Sequence, residues 1–303
     1  MQLGLLTAPF PDTPLAEVAR WAAANGFGTL EIACWPRASG PTRRYAGTSH
    51  VDVEGLTAGA AKELTAQLAE AGVQVSALGY YPNPLHPDAA HREAVTAHLR
   101  RVIDAAALMG VGVVNTFVGG NRALNIEENW AEAARVWPAT VAHARDRGVT
   151  LAFENCPMIF SHDEWPGGHN IAYNPRIWRR ILESWPGVGM NFDPSHLVWQ
   201  MIDIPRFIRE FGPHMVHVHA KDLTVDREGL YENGIMSLGM GWQVPRMPGL
   251  GDIAWATVFA GLYRAGYDGP IVIEHEDRTF EGSEDRVRRG FLLARDVLSP
   301  YIR

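Results

Sequence analysis

Short runs of apolar and β-branched residues alternate along this chain with longer segments whose apolar positions recur every three to four residues. The short runs predict strands at 2–7, 28–33, 73–78, 112–117, 149–153, 187–192, 215–219 and 270–274. The longer segments predict amphipathic helices over 14–24, 55–71, 89–109, 126–147, 175–183, 203–211, 254–265 and 285–298. Gly26 (after Asn25), Gly72, Gly110, Gly148 and Gly266 stand where helices would end, the position that favours a residue free to take a left-handed conformation. Eight strand–helix pairs in strict alternation predict an α/β fold, a single (β/α)8 barrel spanning 1–303. The rival open, doubly wound sheet normally carries a glycine-rich phosphate turn after its first strand. Here that turn reads APFPDTP, with neither GxGxxG nor a P-loop.

Composition narrows the picture. At 303 residues and 47% apolar, the chain can bury one sizeable core, and no break in composition marks a second domain. A formal charge of −7 gives no help with phosphate backbones, so no nucleic-acid partner is expected. Cys34 and Cys156 lie far apart, which excludes a thiolate metal knot and fits a reducing compartment. The N-terminal residues lack the basic start and apolar run of a signal peptide, and no stretch approaches the ~18 apolar residues of a spanning helix. The expectation is a cytoplasmic protein without a membrane partner. Two long connections, 155–173 and 223–251, are expected on the face where the strands end, as walls of a site.

Four predicted strands end in metal-type ligands. They are LAFEN (151–155), GMNFDPSH (189–196), VHVHAKD (216–222) and IVIEHED (271–277). Each offers a carboxylate or imidazole where its apolar run stops: Glu154, Asp193, His217 or His219, and Glu274. Barrels assemble active sites from the C-terminal ends of successive strands. Singly, Glu154 or Glu274 reads as a salt-bridged strand end, and Asp193, before Pro194, as a turn former or helix cap. His217 and His219 share a strand face, so one is a ligand candidate and the other a hydrogen-bonded core histidine. Together, three carboxylates and an imidazole suit a single divalent ion, with Mn²⁺, Mg²⁺ or Co²⁺ favoured and Zn²⁺ compatible.

The strand ends FEN, NFDPSH, HVHAKD and IEHED resemble those of the sugar isomerase/epimerase branch of the xylose isomerase-like barrels, a group with ketose 3-epimerases, hydroxypyruvate isomerases and inosose dehydratases. The resemblance runs over essentially the whole chain. It implies that Glu154, Asp193, His219 and Glu274 hold one divalent ion, Mn²⁺ foremost, with His217 the alternative to His219 and Glu276 competing with Glu274. It further implies that Glu154 and Glu274 exchange protons with substrate, and that His196 and Lys221 contact substrate oxygens. The implied reaction removes a proton alpha to a carbonyl of a sugar or cyclitol and yields an isomer or epimer. The runner-up is a lyase on the same residues, eliminating from a 3-keto-glycoside or dehydrating an inosose. A non-catalytic sugar-binding barrel is a remote third reading. The AP-endonuclease branch carries extra histidines on its third and fourth strands; here those strands end SALGYYP and NTFVGG, with none.

Other residues are candidates for the pocket. Trp35, Tyr80, Phe117 and Trp242 offer faces for sugar C–H groups. Arg246 and the strand-facing His217 are candidate substrate contacts. Glu31 would meet a substrate hydroxyl or a neighbouring arginine, and His86 and His169 lie in loops of the same face. No glycine-rich helix start follows the last two strands, so a non-phosphorylated substrate is expected. Barrels of this kind often pair, which makes a second copy the one expected protein partner.

Overall fold

The computed structural model describes residues 1–37, 45–159 and 168–302. Its strands are β1 (Gln2–Leu6), β2 (Thr29–Ala33), β3 (Gln74–Gly79), β4 (Val113–Thr116), β5 (Thr150–Glu154), β6 (Gly189–Phe192), β7 (Met215–Ala220), β8 (Asp222–Val225), β9 (Gln243–Arg246) and β10 (Pro270–Ile273). Eight of them close into a barrel in the order β1-β10-β7-β6-β5-β4-β3-β2, all neighbours parallel. Closure falls between β1 and β10, where Leu3 lies opposite Ile271. Every barrel strand lies within two residues of its predicted limits.

The helices are α1 (Leu15–Ala24), α2 (Ala58–Glu70), α3 (Ala89–Met109), α4 (Ile126–Asp146), α5 (Pro175–Ser184), α6 (Ser195–Trp199), α7 (Ile204–Phe211), α8 (Arg227–Asn233), α9 (Trp255–Arg264) and α10 (Glu284–Leu298). The predicted second helix begins late because Thr57 caps it, its side chain accepting from the amide of Ala60. At the far end of α3, Gly110 takes φ 69°, the left-handed cap that the sequence pattern requires. Leu30 and Ile32 of β2, Val114 of β4 and Phe192 of β6 are fully buried in one apolar core with helix residues such as Trp137 and Trp178. The barrel interior near its C-terminal end is filled with polar groups instead: Glu31, Asn191, His217 and His219, each at 0% exposure.

The segment 223–251 is not an open loop. It holds most of an antiparallel hairpin, β8 with β9, in which Leu223 faces Pro245. Asp222 secures its base. Its Oδ1 accepts from the amides of Leu223 (2.9 Å) and Ile253 (3.1 Å), and its Oδ2 from the amide of Gly249 (2.9 Å) and the indole of Trp255 (2.9 Å). A Cβ at Gly251 would stand 2.2 Å from Asp222 Oδ1, so only glycine lets the chain pass. Trp242 is a correction to the expected pocket wall. It is 1% exposed, packs with Trp199 and Leu223 beneath the hairpin, and donates to Ser237 Oγ at 2.8 Å. A short hairpin has too little core of its own, and this indole supplies it.

Candidate metal and substrate site

The four ligand-type strand ends converge at the C-terminal mouth of the barrel. β7 supplies His219, its side chain pointing inward and its ring fully buried. Nε2 of His219 lies 2.6 Å from Oε2 of Glu31 on β2. Nδ1 is buried and has no hydrogen-bond partner. It faces Oε2 of Glu154, at the end of β5, and Oε2 of Glu274, just past β10, each at 3.4 Å. These three ligand atoms lie within 4.8 Å of one another.

Asp193 follows β6 and divides its two oxygens. Oδ1 accepts from the amide of Ser195, the first residue of α6, at 2.8 Å, while Oδ2 meets the cationic side chains of the site. There it meets Nζ of Lys221 at 3.0 Å and Nε2 of His196 at 3.1 Å. His196 also reaches Oε1 of Glu154 at 3.6 Å. Lys221 is the hub of the acids. Its Nζ contacts Glu274 at 2.7 Å and Glu276 at 3.1 Å, and its side chain is 3% exposed. Glu274, and not Glu276, is the carboxylate beside His219.

The charge balance has physical consequences. Burial works against ionisation of Asp193, but the Lys221 ammonium and then His196 outweigh it and hold the carboxyl well below the usual range. Burial likewise opposes the charge of Glu274, and Lys221 with His219 holds its carboxyl at about 2. Burial lowers the proton affinity of His219, yet Glu31, Glu274 and Glu154 together raise it well above the ordinary value. Lys221, His196 and His219 face the five acids Glu31, Glu154, Asp193, Glu274 and Glu276, and the surplus negative charge is what a divalent cation would balance. An unpartnered imidazole nitrogen between two carboxylates, with a third alongside, fits such an ion. Among the described residues three groups place ligand atoms close enough to hold one: Glu154, His219 and Glu274; Glu31, His217 and His219; and Glu154, Cys156 and His196.

Several expectations are revised by the geometry. His217 lies one inward position deeper on β7, is fully buried, and does not line the cavity. Its Nδ1 sits 3.0 Å from Asn191 Oδ1 and its Nε2 3.2 Å from Ser76 Oγ. Burial drives its proton affinity down to about 3, which leaves it a neutral imidazole held among interior polar groups. Among the described residues Glu31 meets no arginine: its oxygens receive Tyr81 and His219. Tyr80 turns away from the mouth and packs edge-on against His98, ring centroids 4.7 Å apart, so Tyr81 enters in its place. Neither Glu31 at His219 nor Tyr81 in the wall was anticipated. The register of β2 against β3 shifts between Leu30 and Glu31, and such an irregularity hides which side chain points inward.

The cavity above these residues measures about 620 Å³. Trp35, Tyr81 and Phe117 form an aromatic wall, with Glu154 and Lys221 at the floor and Arg246 from β9 at the rim. Arg246 donates to Thr279 Oγ1 at 3.2 Å, which ties the hairpin to the segment after β10. Met158 and Ile159, from the other long connection, also line the cavity, while its residues 160–167 lie outside the described residues. His86 and His169 are not among the described residues that line it. Among the described residues no helix is long and apolar enough to cross a membrane.

A closed parallel barrel with an acid- and histidine-lined mouth defines a class of protein, the TIM barrels with a strand-end ligand cluster. The family model for the xylose isomerase-like TIM barrel matches residues 19–297, and the chain belongs to that family. It is 25% identical over 306 residues to "Uncharacterized protein YfiH" of Bacillus subtilis (strain 168), covering 92% of this chain and 94% of that protein. Among solved structures it resembles a D-psicose 3-epimerase crystallised in the presence of D-fructose (TM-score 0.67, 15% identity, covering 98% of this chain and 99% of the other). It also resembles the 3-keto-D-glucoside 4-epimerase YcjR from E. coli (0.68, 16%, 98% and 99%). A third is the probable 3-DHS dehydratase AsbF from Bacillus anthracis (0.71, 13%, 99% and 99%). At these identities the structural likeness concerns the fold.

Proposed function

We propose that this protein is a divalent-metal-dependent enzyme that moves a proton alpha to a carbonyl of a sugar or cyclitol, acting as an isomerase or epimerase. The observation that carries the reading is the buried, unpartnered Nδ1 of His219 between Glu154 and Glu274. Glu154, Asp193, His219 and Glu274 would hold the ion. Once bound, the ion supplies a Lewis acid that stabilises negative charge developing on substrate oxygens as the neighbouring C–H ionises. The two glutamates divide the proton transfer. Glu274, held ionised by Lys221, takes the proton at its carboxylate. Glu154 returns one, supplied by His196 Nε2, 3.6 Å from Glu154 Oε1; Glu274 then releases its proton to, and His196 regains one from, water at the cavity mouth. Return to the same carbon from the opposite face gives an epimer; return to the neighbouring carbon gives an isomer.

The walls suit the substrate class. Trp35, Tyr81 and Phe117 would pack on the C–H face of a sugar, and Arg246 would hold a polar group at the rim. α10 opens with Glu284 and Asp285, which disfavours a phosphate at that terminus. One observation favours the lyase reading as the second choice. Glu276 is a further carboxylate on Lys221 with its side chain 33% exposed toward the cavity. It could protonate a leaving group one carbon beyond the acidified C–H.

The test is metal analysis of the purified protein, coupled to deuterium incorporation from D₂O into a panel of ketoses and 3-keto-glycosides. Stoichiometric divalent metal with metal-dependent exchange is the expected result, and Glu154→Gln and Glu274→Gln should each abolish exchange. Product analysis then separates epimer from eliminated product. A protein that binds no divalent ion, even with added Mn²⁺, overturns the reading.

A further inference from the structure

We propose that Glu31 is a positioning residue: by accepting the Nε2 proton of His219 it sets the tautomer and aim of that ring, leaving Nδ1 as the metal-facing atom. The inference rests on the divalent-metal reading above. Glu31 and His219 are 188 positions apart in sequence, and their strands are not neighbours in the barrel. They meet across its interior. An ionised carboxylate only accepts hydrogen bonds, so the nitrogen at 2.6 Å from Glu31 Oε2 is the protonated one. The other nitrogen is the one that gives up its proton when a cation binds, and it is this Nδ1 that is buried, unpartnered and flanked by Glu154 and Glu274.

The surroundings of Glu31 are built to hold it in this one role. Its second oxygen, Oε1, accepts the Tyr81 hydroxyl, so neither oxygen is free to rotate away. A Cβ at Gly79 would stand 2.3 Å from Oε1, and the missing side chain there is what gives the carboxylate its room. Among the described residues Glu31 pairs with no lysine or arginine; its ring neighbours are His219 and, at 3.8 Å, Nε2 of the neutral His217. A fully buried carboxylate is costly without such a counter-ion. Its cost is met when the histidine it orients also binds a cation. Carboxylate partners of this kind orient metal-bound histidines and raise their basicity.

Zn²⁺ serves as a diamagnetic probe. In protein labelled with ¹⁵N-histidine and loaded with Zn²⁺, His219 should show a metal-shifted Nδ1 and a protonated Nε2; metal at Nε2 overturns the inference. That experiment needs no variant. In parallel, Glu31→Gln should weaken Zn²⁺ binding by the folded protein about 10–100-fold. Tyr81→Phe, which keeps the Glu31–His219 bond, should weaken it only a few-fold. A folded Glu31→Gln protein with unchanged Zn²⁺ affinity assigns Glu31 a purely structural role and sinks this inference alone. A wild-type protein that takes up no Zn²⁺ sinks the metal reading, and this inference with it.

Discussion

Nζ of Lys221 lies 2.7 Å from Oε2 of Glu274, inside the ring of acids at the barrel mouth. The same ammonium stands 3.0 Å from Asp193. It therefore occupies oxygens that a divalent cation would share. Removing one partner of a buried ion pair typically costs about 3–5 kcal/mol, because the other charge is left uncompensated. Lys221→Met should accordingly lower the melting temperature of the metal-free protein. It should also enlarge the gain on adding Mn²⁺, since the ion then replaces the lost charge. Thermal melts of both proteins with and without Mn²⁺ decide this. A metal-induced gain no larger in the variant than in the wild type would show that Lys221 does not compete for the site.

The ligand set makes a separate prediction about stability. A ligand that binds only the folded state stabilises it by about 2.7 kcal/mol at a hundredfold excess over its Kd. Mn²⁺ should raise the melting temperature of the wild-type protein, and a chelator should reverse the rise. Glu154→Gln and Glu274→Gln each remove a carboxylate facing His219 Nδ1 and should lose most of this gain. Surface substitutions such as Glu132→Gln, whose carboxylate pairs with Arg135 along α4, should keep it. Equal stabilisation of all four proteins would place the ion elsewhere.

Much of this arrangement is legible in the sequence, and the limits have physical causes. An apolar run that ends in a carboxylate or histidine marks both a buried strand and its outward end, which is why Glu154, Asp193, Glu274 and one of His217 and His219 could be picked out together. The alternation of β7 also places His217 and His219 on one face. Alternation does not say how deep each lies, and His217 proves to be beneath the site. Glu31 is harder: nothing local links position 31 to position 219, and the only trace is a glycine at 79 that leaves it room. The hairpin was hidden because its strands are four residues each, one of them contains Pro245, and glycines surround it. Its tryptophan looked like a binding residue because a buried indole and an exposed one read the same in sequence.

Asp222 is the residue on which that hairpin depends. It accepts four hydrogen bonds, two at each oxygen. Asparagine has one accepting oxygen, so Asp222→Asn would set an amide against two donors. Each hydrogen bond to a charged group is worth about 1.5–3 kcal/mol. The expected outcome is faster proteolytic cleavage within 226–241, and a raised KM, because Leu223 and Gln243 to Arg246 line the cavity. Gly251→Ala should do the same, since its Cβ would displace Asp222 Oδ1. Cleavage at the wild-type rate in both variants would mean that the hairpin is held by its own contacts.

His50 gives a pH dependence that can be worked out in sign. Its Nε2 donates to the carbonyls of Phe10 and Thr13, both at 3.1 Å, and its Nδ1 lies 2.9 Å from Thr7 Oγ1. The ring thereby ties the segment after β2 to the turn between β1 and α1. Burial lowers its proton affinity, and the two carbonyls, which pull the other way, do not make up the difference. The folded-state pKa is therefore below that of the unfolded chain, which is about 6.5. Above that value both states hold neutral His50 and its contribution is complete. As pH falls through it, the unfolded chain takes up a proton that the folded protein resists, and the contribution shrinks. His50→Gln should thus cost more stability at pH 8 than at pH 5. Urea unfolding of both proteins at the two pH values measures this, and titrations elsewhere in the chain cancel in the difference. A cost that is equal at both pH values, or greater at pH 5, would show that the folded protein accepts the imidazolium as readily as the unfolded chain does.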